Sequence, residues 1–327
     1  MNLPRPHLHS LIFEVTQDCN HACNYCYNVW RGPQTTPYPR GQLDTARTLE
    51  LLGKALVETR CFHVTLTGGE PLLRPDLLQI IEFLQQRRVQ VTLISNGHLL
   101  DETMALALVE RGVGLFELPL LSHRREVHDA LSGVQGAWDA VLAAMANVRL
   151  LHGQVIAAFV ATRQNIEHIY ETVRLAFAFG ARGVMFNRFN PGGRGREHLA
   201  ELLPTVDEVR VALVAAEAAA AEFGIPISCS IPIQPCLIDL DRYPHLSFGF
   251  CVVTVPTLPS TPWGTCALAI TAILFWVTFS KPPLRNFWLR SAWSISSQLR
   301  HLPAQHVHGA WSARVGVKLL RRSAMAS

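Results

Sequence analysis

The chain has 327 residues, 49% of them apolar and 17% charged, with 29 Lys and Arg against 25 Asp and Glu and eight Cys. That length suits one large α/β domain with an appendage, or two domains, and the apolar share excludes a disordered chain. The modest charge excludes a nucleic-acid binder built on a basic face.

Residues 1–10 hold two Pro and two His with no apolar run, so no secretory signal is read and a cytoplasmic location is expected. In that setting clustered Cys point to metal ligation rather than disulfides. The first candidate strand is Leu8–Thr16. Directly after it come Cys19, Cys23 and Cys26, spaced x3 and x2, which can aim three thiolates at one centre from a single loop. Structural zinc takes four protein ligands and an electron-transfer [4Fe–4S] cluster takes four Cys. Three thiolates on a four-iron cube leave one iron open to a small molecule. A zinc site completed by His21 or a distant Cys is the alternative.

The second strand, Phe62–Thr67, runs into Gly68, Gly69, Glu70 and Pro71. Two Gly at a strand end let a ligand approach the backbone, and Glu70 offers an acceptor to an ammonium group. His63, on that strand, reads as a packed histidine. Val89–Ile94 follows and closes on Ser95, Asn96 and Gly97. Then come Gly114–Leu120, which contains Glu117, Val155–Ala161, and Gly183–Asn187. These runs are rich in Val, Ile, Leu and Phe and most lack clean alternation, as strands of a covered parallel sheet do. Helical patterns lie between them at Asp76–Arg87, Ala137–Leu151, Ile166–Phe179 and Val206–Phe223, the last two stopped by Gly180 and Gly224. Strand–helix alternation repeated about six times implies a parallel α/β sheet, with chemistry at the C-terminal strand ends. There, Asn187 and Arg188 precede Pro191, Gly192, Gly193, Arg194 and Gly195, read either as a cofactor- or substrate-contacting loop or as a solvated turn.

The CxxxCxxC loop after the first strand and the Gly-Gly-Glu-Pro turn after the second resemble the radical SAM superfamily over roughly residues 8–240. The resemblance implies a partial (β/α)6 TIM-like barrel over residues 1–224, with a [4Fe–4S] cluster held by Cys19, Cys23 and Cys26. It implies S-adenosylmethionine chelated to the fourth iron. Tyr25 would lie near the adenine, Gly68, Gly69 and Glu70 would bind the methionine ammonium, and Ser95, Asn96 and Arg188 would make further contacts. The implied reaction is reductive cleavage of S-adenosylmethionine to a 5′-deoxyadenosyl radical, which abstracts hydrogen from a substrate. A peptide or protein side chain is the expected substrate, with a small molecule or tetrapyrrole as the alternative. A flavodoxin or ferredoxin would supply electrons, and neither nucleic acid nor membrane is an expected partner. From another class, the alternative is a non-catalytic Fe–S or zinc protein, or an inactive truncated homologue.

Residues 225–251 read as a bridge, and the stretch ending at Cys251 resembles the entry to a SPASM extension, which carries auxiliary Fe–S clusters. Cys251 would be a remnant ligand of such a cluster. Residues 252–327 depart from that pattern, with eight Lys and Arg, no Asp or Glu, five of the seven Trp, and Cys266 alone among thiols. Read one frame away, Ser260–Ala272 is compatible with a SPASM opening. In the same frame the places of Ala304, Val307, Ala313 and Val317 admit Cys at the required x2, x5 and x3 spacings. A frameshifted tail is therefore expected. The rivals are a membrane anchor at Trp263–Phe279, near the short limit of a span, and a basic nucleic-acid-binding tail, although its charges are scattered rather than gathered on a face.

Overall fold

The computed structural model describes residues 10–31 and 42–249. Cys251, Cys266 and every reading of residues 252–327 lie outside them. Eight strands form one sheet in the order of the sequence: β1 (Ser10–Thr16), β2 (His63–Gly68), β3 (Gln90–Ile94), β4 (Val113–Pro119), β5 (Val155–Ala161), β6 (Gly183–Arg188), β7 (Ile227–Cys229) and β8 (Leu246–Phe248). Every neighbouring pair is parallel. The sheet does not close, since β1 and β8 stand at its two ends. Parallel neighbours need a crossover to return the chain, and helices supply most of these returns. They are α1 (Thr45–Thr59), α2 (Leu77–Gln85), α3 (Glu102–Glu110), α4 (Arg125–Ser132), α5 (Ala137–Leu150), α6 (Ile169–Ala178), the single turn α7 (Leu199–Leu202) and α8 (Val206–Phe223).

The six expected strands are present with end shifts of no more than two residues. The stretch read as a bridge adds β7 and β8, which pair in parallel and carry the sheet beyond six strands. Three residues each, set among prolines, are too short to show a periodicity. The helix expected from Ile166 starts with a 3-10 turn at Ile166–His168, because Asn165 spends its side-chain oxygen on Thr162.

Local chemistry sets the helix ends. Asp44 and Asp101 accept from backbone N–H groups of α1 and α3, and Thr205 with Glu208 forms a reciprocal capping box on α8. Inside α1, Gly53 carries the backbone-entropy penalty of glycine, and a methyl group there would meet only the Phe83 ring at 3.4 Å. Gly53→Ala is therefore expected to stabilise the fold by up to about 1 kcal/mol, read from the urea midpoint.

The two faces of the sheet differ. Phe13, Leu66, Leu93, Phe116, Phe159 and Phe186 point toward the helices and are almost fully buried. Residues in the alternate positions, such as Ile12, Glu14, Leu115, Glu117, Val160 and Asn187, are only partly covered. The alternate, inner face is thus less completely covered than the helix-facing one.

Candidate active site

The loop after β1 has no regular secondary structure, so its backbone groups must find partners elsewhere. The turn after β2 supplies two carbonyl-to-amide links: Gly69 N donates to Thr16 O at 2.8 Å and Glu70 N to Asp18 O at 2.7 Å. The end of α4 supplies two more, since Ala22 N and Asn24 N donate to the Ser132 and Leu131 carbonyls, both at 3.2 Å. These bonds satisfy two of the carbonyls that a helix C-terminus leaves open. Asn28 Nδ2 donates to Gly68 O at 2.9 Å, and Arg31 Nη2 reaches back to the His21 carbonyl at 2.6 Å. From the far side of the fold, Gly195 N donates to Cys26 O at 3.0 Å.

That last contact joins the 191–195 loop to the cysteine loop. A Cβ on Gly193 would sit 2.1 Å from Asn28 O, and one on Gly192 would sit 2.6 Å from Tyr27 O. The glycines let two backbones touch, so this turn packs on the cysteine loop rather than lying in solvent.

Cys19, Cys23 and Cys26 are each partly buried and unoxidised. Burial pushes all three thiols up, Cys23 to about 12, and the neighbouring thiols add to the rise at Cys23 and Cys26. Three thiols so placed gain most by exchanging protons for a metal centre. Among the described residues, no three His, Cys, Asp or Glu side chains converge as ligands of a single ion. A tetrahedral zinc needs its ligands about 2.3 Å from one point, whereas an iron–sulfur cube takes each thiolate at a separate corner. His21 is buried, and its Nε2 lies 3.4 Å from His98 Nδ1. The donor set fits a cube held by three cysteines.

The family profile described as the Radical SAM superfamily matches residues 13–176, half of the chain. The chain belongs to the radical SAM superfamily. It is 30% identical over 232 residues to the PqqA peptide cyclase of Gluconobacter oxydans, covering 71% of this chain and 63% of that one. It is 29% identical over 199 residues to the mycofactocin maturase MftC of Mycobacterium tuberculosis, covering 61% of this chain and 49% of that one. The chain thus spans about half to two thirds of the length of these relatives. In fold it resembles Streptococcus suis SuiB bound to its precursor peptide SuiA, with TM-score 0.58, 13% identity, and 69% and 49% of the two chains covered. Radical SAM proteins use a [4Fe–4S] cluster and S-adenosylmethionine, so membership implies both cofactors.

Within this radical SAM fold the residues read from sequence divide in their tasks. Tyr25 packs with Leu121, Leu131, Phe189 and Leu202, and its hydroxyl hydrogen-bonds the Cys23 sulfur. Gly68 and Gly69 lie hard against the root of the cysteine loop, where a Cβ would come within 2.3 Å of Thr16 O and 2.0 Å of Asp18 O. The Glu70 carboxylate is fully buried and accepts from Leu72 N at 3.0 Å, Ser95 Oγ at 2.8 Å and Asn96 N at 2.7 Å, which clasps the ends of β2 and β3 together. Ser95 is likewise buried, its hydroxyl committed to Glu70 and Gly97. Asn96 stays at the mouth of the site and donates to Asn20 of the cysteine loop at 2.7 Å. Arg188 at the end of β6 donates to the Pro232 carbonyl at 2.9 Å and ties the sheet to the segment leading to β8.

Sequence reasoning noted Glu117 in its strand without giving it a role, and did not single out Glu14. Glu14 on β1 pairs in register with Thr67, and Glu117 on β4 pairs with Ile94, which places two carboxylates on the inner face below the cysteine loop. Tyr27, next to Cys26, feels both of them. The available signal was an acid inside an apolar strand, which burial as a helix-facing residue would make prohibitive.

Burial raises Glu117 to about 7. The folded chain therefore holds that proton more readily than the unfolded chain does. Its contribution to stability is full below about pH 4.5 and is lost as pH rises through about 7. Glu117→Gln is expected to stabilise the protein by about 2 kcal/mol at pH 8 and to leave it nearly unchanged at pH 5, as urea unfolding at the two pH values would measure.

Proposed function

We propose that this chain is the radical-generating barrel of an enzyme that modifies a peptide or protein side chain. Cys19, Cys23 and Cys26 hold the cluster, and Gly68, Gly69, Tyr25 and Asn96 border the nucleotide. The observation that carries this reading is the cysteine loop at the end of β1, joined by backbone hydrogen bonds to the Gly-Gly-Glu turn of β2. When bound, the two cofactors together supply a carbon-centred radical able to take a hydrogen atom from an unactivated C–H bond. The chain's own residues do the rest. Glu70 holds the strand ends in place, the 192–195 turn and the α4 terminus cover the loop, and the half-open inner face leaves room for an extended substrate. Ser95 acts through Glu70, and Arg188 at the end of β6 is bonded to the Pro232 carbonyl.

A peptide substrate is supported by similarity to the PqqA peptide cyclase and by a structural neighbour bound to its precursor peptide. Flavodoxin or ferredoxin is the proposed reductant, and a cytoplasmic setting suits thiols that must stay reduced. No helix among the described residues is long and apolar enough to cross a membrane.

For residues 252–327 we retain the frameshift reading, with residues 225–251 leading into the lost extension and Cys251 as its remnant. The chain would then assemble its first cluster and fail on substrate. Sequencing the gene across codons 245–265 tests this, and an intact frame shared by close relatives overturns it. The function itself is tested by anaerobic reconstitution with iron and sulfide, followed by 5′-deoxyadenosine release with dithionite. The released nucleoside is compared with no addition, with a short peptide encoded beside the gene, and with a tetrapyrrole. Stimulation by the tetrapyrrole alone would replace the peptide reading, and a loaded cluster without nucleoside would point to a non-catalytic protein.

A further inference from the structure

The cysteine loop is bracketed by two arginines that nothing above assigns to a ligand. Arg31 ends the 3-10 turn that follows the loop, and its Nη2 bonds the carbonyl of His21, midway between Cys19 and Cys23. Its guanidinium thereby lies across the back of the loop. Arg194 comes from the opposite side, on the glycine turn whose backbone lies against Cys26 and Asn28. No hydrogen bond or ion pair holds the Arg194 side chain among the described residues, so its geometry is set by the turn alone.

We propose that Arg31 and Arg194 form an electrostatic bracket around the cluster loop and raise the reduction potential of the cluster, easing entry of the electron that starts the reaction. This rests on Cys19, Cys23 and Cys26 being the ligands.

A cube held by three thiolates becomes more negative when it accepts an electron, and its potential follows the net charge, hydrogen bonding and solvent exposure around it. A guanidinium carries a permanent positive charge, so it stabilises the reduced state more than the oxidised one. Arg31 holds its charge against the loop through the 2.6 Å bond from Nη2 to His21 O, and the turn that carries Arg194 lies on the loop through the 3.0 Å bond from Gly195 N to Cys26 O. The opposing charge is Glu70, felt by Cys19, but its carboxylate is already spread over three donors of the chain. Placement explains why two arginines are used. Arg31 belongs to the N-terminal part of the fold and Arg194 to the segment after β6, so both charges face the loop only when the sheet is assembled.

The test uses the full chain, reconstituted anaerobically and titrated potentiometrically with the reduced cluster followed by EPR. In Arg31→Gln the ratio of reduced to oxidised cluster at a fixed potential is expected to fall about tenfold, which is 59 mV for one electron. Arg31→Lys keeps the charge and loses the planar fork, and its potential is expected to stay near that of the parent. Arg194→Gln is expected to fall by a smaller factor, shrinking further as salt is raised. A parent-like potential in Arg31→Gln at full iron and sulfide content overturns the proposal. If both Arg31 variants lose the cluster, the Arg194→Gln potential decides: a fall supports the bracket and no change overturns it. Failure of the parent chain to load a cube would overturn the ligand assignment instead, which iron and sulfide content reports separately.

Discussion

Replacing Cys19, Cys23 or Cys26 singly with Ser is expected to reduce 5′-deoxyadenosine release to the no-enzyme background and to strip the reconstituted chain of its cluster absorbance. The three thiols are the entire protein ligand set proposed for the cube, so the loss of one leaves two corners for four irons. A hydroxyl does not substitute, because a thiol becomes a soft, anionic ligand far more readily than a serine does. The control is Cys236→Ser, which removes an exposed thiol outside the three-cysteine motif and should retain parental iron, sulfide and nucleoside release. Cys61 is a less suitable control, since its thiol is buried and donates to the His63 carbonyl at 2.9 Å. A cube that persists undiminished in all three loop variants would defeat the ligand assignment.

Gly69→Ala is expected to cost at least about 3 kcal/mol of stability and nearly all nucleoside release. The methyl group would lie 2.0 Å from Asp18 O, 2.6 Å from Asp18 C and 2.8 Å from Gln17 O. These are backbone atoms, which cannot swing aside as the end of a long side chain can. Relief requires parting the two backbones, which breaks the hydrogen bonds from Gly69 N to Thr16 O and from Glu70 N to Asp18 O. Thermal unfolding checks the first effect. Nucleoside release from whatever fraction remains folded checks the second, and unchanged values in both would show that the turn is slack. Gly68 adds a second constraint, since its φ of 139° lies where side chains are strained and its Cβ would meet Thr16 O at 2.3 Å.

Much of this was legible from the residues in order. The strands that became β1 to β6 announced themselves as short runs of Val, Ile, Leu and Phe, because a sheet covered by helices demands apolar residues along its length. α8 was read to the residue, since a Thr cap with Glu three positions on and a Gly stop are all local signals. The helices α1, α3 and α4 were not read. In α4 the sequence from Arg125 to Ser132 is largely polar, and only His128, Leu131 and Ser132 are buried. Its value lies in its last carbonyls, which receive the cysteine loop, and no local pattern encodes such a long-range bond. The same reason explains Glu70. A Gly-Gly-Glu turn shows that a ligand or a backbone comes close, but not which. Here a backbone lies against the two glycines, and three hydrogen bonds within the chain hold the carboxylate. The 192–195 turn was ambiguous for the mirror-image reason, since glycines that admit another segment and glycines of a solvated turn look alike until the second segment is known.

The fastening of the cysteine loop by the Gly195 amide has a consequence for biogenesis. About 170 residues separate Cys26 from that amide, and at ribosomal speeds of about 5–20 residues per second they take roughly 10–30 s to emerge. For that interval the three thiols leave the ribosome without the cover that later shields them, open to peroxide and to stray metals. Cover for the loop is therefore complete only once residue 195 has emerged, and a carrier that meets the nascent chain would serve it best by guarding those sulfurs before then.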